Sequence, residues 1–102
     1  MSWPRRGRGR PGEISVEDCS ELTSDFDEIA RLWVSDTRSF VVVAPNVASP
    51  ALFGSLIVEC IHHAAMVYAY QDGVTEAEAL SQLWAGLDEE RIRLSRDADP
   101  KE

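Results

Sequence analysis

The chain has 102 residues, 44% apolar and 27% charged, which is the length of one domain and the balance of an ordinary soluble globular protein. Its formal net charge of -8 hides an asymmetry: residues 1–12 hold four arginines and no acid, and the rest hold 6 - 18 = -12. An acidic body of this kind repels nucleic acid, and two lone cysteines, Cys19 and Cys60, exclude a disulfide framework and fit a reducing cytoplasm.

Residues 1–12 (MSWPRRGRGRPG) carry the charge of a secretory leader without the apolar run that follows one. Gly, Pro and Arg leave nothing to bury, so this stretch reads as a disordered tail. Within it, Arg8, Gly9, Arg10 and Pro11 match the four-residue core of the AT-hook, an extended arm that lies in the minor groove of A·T-rich DNA. The motif usually continues with basic residues, whereas Gly12 and Glu13 follow here, so DNA association stands as an alternative and not as the leading reading.

Residues 13–28 are acidic and mixed, with brief alternation at Ile14 and Val16 that allows a short strand. From Ile29 to Ser35 the period of two is clear. Ala30, Leu32 and Val34 share one face; Ile29, Arg31 and Trp33 share the other. Asp36-Thr37-Arg38 suits a turn, with Asp36 bonding the backbone just ahead. A second strand follows from Ser39 to Ala44, β-branched and apolar on both faces.

Ser49 and Pro50 open a long helix as cap and first position. It runs to Gln71 and is apolar on nearly all sides, interrupted at its centre by Glu59, His62 and His63. Its length suffices to cross a bilayer, but those polar groups fall where they are most costly, which argues against a membrane span. Asp72-Gly73 ends it, and Thr75 with Glu78 forms a capping box for a second, amphipathic helix. Ala77, Leu80, Leu83, Trp84 and Leu87 form its inward stripe, and Glu89 with Arg93 offers an ion pair on its solvated last part. Residues 13–95 thus form one domain, and residues 96–102 read as a frayed acidic tail.

The expected class is α+β: a short antiparallel hairpin or three-stranded meander, followed by two helices packed on one face. A two-stranded hairpin is marginal alone, and so apolar a helix needs cover from elsewhere. A homodimer follows as the expectation, with Phe53, Leu56, Ile57, Ile61, Met66, Tyr70 and Trp33 as interface candidates. No cofactor is implied, and the identity of any other protein partner is not encoded.

The segments EIARLWVSDTRSFVVV, SPALFGSLIVECIHHAAMVYA and DGVTEAEALSQLWAGLDEE resemble a small bacterial domain family catalogued only as being of unknown function. The resemblance spans about residues 25–90 and implies an α+β fold in a bacterial, cytoplasmic setting. It implies no activity and no site residues.

Glu59, His62 and His63, spaced i, i+3 and i+4, lie on one helical face, with Cys60 about a quarter turn away. Imidazole and carboxylate suit zinc or iron, so this face is the alternative small-molecule or metal site. The same face also reads, in preference to the metal site, as a buried polar network that fixes the register of a dimer. Cys60 has only His63 to activate it and no third orienting group, so it reads as a small buried apolar side chain. No Gly-rich phosphate loop, Ser/His/Asp set or CxxC pair is present, and the chain reads as non-enzymatic.

Overall fold

A computed structural model describes residues 10–46 and 48–98. Two strands and two helices follow in chain order: β1 (Ala30–Val34), β2 (Ser39–Val43), α1 (Pro50–Asp72) and α2 (Glu76–Ala98). This is an α+β arrangement of a two-stranded antiparallel hairpin followed by two helices. The chain divides into two compact units, Met1–Val47 and Ala48–Glu102, each with its own internal packing.

In the first unit, Arg10 to Glu13 forms a tight turn closed by the Glu13 N–H donating to the Arg10 carbonyl at 3.0 Å. Pro11 sits where its fixed φ is already correct, and Gly12 takes the left-handed φ of 82° that the next position demands. The Glu13 carboxylate reaches back to accept from the Arg10 N–H at 3.0 Å. The last three residues of the arginine-rich segment are therefore folded into a turn, while the rest of it, Arg8 and Gly9 included, lies outside the described residues.

The acidic stretch that follows does not add a full third strand; among the described residues the sheet holds β1 and β2 only. Ile14 makes a single bridge, and the backbone then turns repeatedly, with Cys19, Leu22 and Phe26 N–H groups donating three residues back. The alternation at Ile14 and Val16 is too short to outweigh these local bonds.

The β1–β2 register pairs Ala30 with Val43, Leu32 with Val41 and Trp33 with Phe40. One face thus carries Ala30, Leu32, Val34, Val41 and Val43, and the other carries Arg31, Trp33, Phe40 and Val42. The turn differs from expectation in its organiser. Ser35, not Asp36, holds it: the Ser35 Oγ accepts from the N–H groups of Thr37 (3.2 Å) and Arg38 (3.1 Å), and the Ser35 N–H donates to the Arg38 carbonyl (2.8 Å). A hydroxyl one position before the turn reaches these donors with no left-handed residue, so neither Asp36 nor Thr37 needs a positive φ. Before β1, Glu28 takes both the Nε and Nη2 groups of Arg31 in a bidentate pair at 2.9 and 2.8 Å.

In the second unit, the Ser49 Oγ accepts from the Leu52 N–H at 3.1 Å, and Pro50 occupies the first helical position. Gly73 ends α1 with a left-handed φ of 74° and donates its N–H to the Ala69 carbonyl at 3.2 Å. The capping box forms in both directions: Glu78 N–H to Thr75 Oγ1 and Thr75 N–H to the Glu78 carboxylate, each 3.0 Å. The short link from Gly73 to Thr75 folds α2 back along α1 as a helical hairpin. α2 continues to Ala98, further than its apolar stripe extends. Ion pairs carry these last turns: Arg91 with Asp88, and Arg93 with both Glu90 and Asp97. Arg93 does not take the expected Glu89; its fork closes on Glu90 with two nitrogens and leaves the third for Asp97.

Candidate interaction surface

The seam between α1 and α2 is built from small residues. Ala65 (3% exposed) and Ala79 (5%) are the buried pair among the described residues, and their size lets the two backbones approach closely. Around them lie half-buried Ile61, Ala64 and Ala69 on α1 and Leu80, Leu83, Trp84 and Leu87 on α2. His62 joins this seam: its ring and that of Trp84 meet in a T-shaped contact, 6.2 Å between centroids and 73° between planes. A shallow cleft lined by Tyr68, Asp72, Val74, Ala79, Gln82 and Leu83 closes the end of the hairpin.

A helix turns about 100° per residue, so the side of α1 away from Ala65 is fixed by arithmetic. It presents Leu52, Leu56, Glu59, His63, Met66 and Tyr70, spaced four, three, four, three and four. Every one of these is exposed, with Leu52 at 49%, Leu56 at 37%, Met66 at 55% and Tyr70 at 62%. The spacing is that of a coiled-coil seam. Of the interface candidates, Leu56, Ile57, Met66 and Tyr70 stand exposed, while Phe53, Ile61 and Trp33 are half-buried. Leu52 belongs with the exposed group and was missing from the candidates; the alternating four-three spacing is the signal that finds it.

The metal-ligand candidates separate. His62 turns toward Trp84, while Glu59 and His63, one turn apart, belong to the outward stripe; Cys60, expected to be buried, is exposed beside them because the turn of the helix carries it away from α2. Among the described residues no group of three or more His, Cys, Asp or Glu side chains is placed to hold a metal ion. Of the AT-hook residues, Arg10 and Pro11 are described. The Arg10 guanidinium lies over the Trp33 ring, 5.9 Å from its centroid, and the backbone there is turned rather than extended. Arg10 also lines a shallow cleft with Trp33, Arg38, Ser39 and Phe40, and Trp33 stands 5.8 Å from Phe40 between ring centroids.

The ion pairs at the surface leave their mark on titration. The Arg31 guanidinium bonded to Glu28 holds that carboxyl below the usual glutamate range, and Arg93 does the same to Glu90. The Thr23 hydroxyl bonded to Asp25 lowers that carboxyl too. α1 is also long and apolar enough to cross a membrane by length and composition, although Glu59, His62 and His63 stand at its centre.

A two-stranded antiparallel hairpin followed by a helical hairpin makes an α+β arrangement, and the side of α1 away from α2 carries an exposed, largely apolar stripe. The family model for a domain of unknown function (DUF5076) matches residues 23–93, and the chain belongs to that family. Among solved structures, the chain is similar to one described as a "putative pyruvate dehydrogenase from the photosynthetic bacterium Rhodopseudomonas palustrus CGA009". The two share 26% identity with a TM-score of 0.53, over 100% of this chain and 95% of that one. No curated protein matches the chain.

Proposed function

We propose that this chain is a non-enzymatic interaction domain that works by protein–protein contact, with a second copy of itself as the partner. One observation supports the reading: α1 turns large apolar side chains outward on the side opposite α2, from Leu52 to Tyr70. Burying such a side chain fully contributes about 1.5–3 kcal/mol, so a matching apolar surface is strongly favoured there. α2 offers only one seam and cannot cover both sides of α1 at once. The setting we propose is a bacterial cytoplasm, in keeping with two free, exposed cysteines that form no disulfide.

Molar mass by light scattering of the full chain, over a range of concentrations, tests the reading. The expected value is twice the 11.4 kDa of one chain. A mass of 11.4 kDa at every concentration contradicts it.

A further inference from the structure

The outward stripe of α1 is self-complementary. Leu52, Leu56 and Glu59 run toward Ile61 from one end; Tyr70, Met66 and His63 run toward it from the other, at matching distances along the helix. A two-fold axis at the level of Ile61 places Leu52 against Tyr70, Leu56 against Met66 and Glu59 against His63 of the opposite copy. This is the pairing that an antiparallel coiled coil imposes, where each a position faces a d position of its partner. A two-fold interface requires such reciprocity: if one residue meets another, the second must meet the first.

We infer that two copies associate by packing α1 antiparallel on α1, with the carboxylate of Glu59 in one copy facing the imidazole of His63 in the other, twice over. The inference rests on the proposed self-association and adds its geometry. The outer pairs supply apolar cover. The central pairs supply register, because sliding the helices by one turn puts Glu59 or His63 against Leu56 or Met66 and strands a polar group without its counterpart. A parallel arrangement does worse, since it sets Glu59 beside Glu59. The stripe thus selects a second copy over a lipid surface: hydrocarbon leaves both polar groups unpaired, whereas a reversed copy matches each of them.

The test uses charge exchange in the full chain, read by light scattering with helix content followed by circular dichroism. His63→Glu sets four carboxylates at the axis and is expected to raise the dimer dissociation constant about tenfold or more. The double variant E59K/H63E restores opposite charges and is expected to restore the dimer. Leu56→Asp, elsewhere on the same stripe, is read beside them and is expected to be monomeric. A dimer that persists unchanged in both His63→Glu and Leu56→Asp overturns this geometry while leaving self-association standing. Failure of the double variant to recover overturns the central pairing. A wild-type monomer overturns both proposals, and partition of that monomer into phosphatidylcholine vesicles assigns the stripe to a membrane instead.

Discussion

His62 of α1 stands edge to face against Trp84 of α2, their ring centroids 6.2 Å apart. This contact fixes the two helices where Ala65 and Ala79 bring the backbones close. It also sets the His62 ring toward α2, while Glu59 and His63 lie on the outward stripe. Trp84→Ala is expected to lower unfolding stability by about 2 kcal/mol, less than the loss from a fully buried tryptophan, because the ring is only half-buried. His62→Ala is expected to cost about 0.5–1.5 kcal/mol. Urea denaturation of the two variants measures both; an unchanged midpoint for Trp84→Ala shows that the ring does not hold the seam.

The two ends of α1 respond to different physics. Ser49→Ala removes the acceptor for the Leu52 N–H and is expected to cost about 1 kcal/mol. Gly73→Ala meets no neighbouring atom, since a Cβ there finds nothing within 4 Å, yet its φ of 74° remains unfavourable for any side chain. Its expected cost of about 1 kcal/mol is therefore entirely backbone strain. Gly73→Asn, which tolerates the left-handed region better, should recover part of that loss in the same thermal melts.

The far end of α2 depends on pH in a defined direction. Arg93 holds the Glu90 carboxyl below its ordinary range in the folded chain. A lowered folded value means that the pair's contribution is complete above the ordinary glutamate pKa and disappears as pH falls through the folded value. Helix content measured from pH 6 down to about 2 should fall at the acid end, and Arg93→Ala should flatten that part of the curve. An identical acid profile in the two chains removes the pair from the account. The effect is small, since both partners are solvated.

Much of this architecture was legible in the sequence because it is set by local chemistry. Ser49, Gly73, Thr75 and Glu78 announce helix ends through bonds to backbone a few residues away, and all four act as expected. The period of two from Ala30 to Val34 sets the faces of the hairpin for the same reason. What was not legible involved choices between near-equivalent partners. Ser35 and Asp36 are both turn formers, and only the backbone path decides that the Ser35 hydroxyl lies under the two N–H groups. Arg93 has three carboxylates within reach, and fork geometry selects Glu90 and Asp97 over Glu89. That His62 meets Trp84 while Glu59 and His63 lie on the outward stripe needed the position of Trp84, a contact no local pattern encodes.

Cys60 gives the most direct test of the α1–α1 pairing. It lies one position from the proposed two-fold level, is exposed, and sits at the edge of the outward stripe. Cys60 stands about 80° around α1 from the centre of the stripe, so with antiparallel helix axes about 9 Å apart the two Cys60 Cα atoms fall roughly 8–9 Å from each other, beyond the span of about 4.4–6.8 Å that a disulfide bridges but within reach of a short bis-maleimide crosslinker. Treatment of the full chain at low micromolar concentration with a short bis-maleimide, followed by mass measurement under denaturing conditions, should give a covalent dimer. That dimer should survive Cys19→Ser and vanish with Cys60→Ser. No covalent dimer, or one linked through Cys19 instead, contradicts the packing of α1 on its own copy.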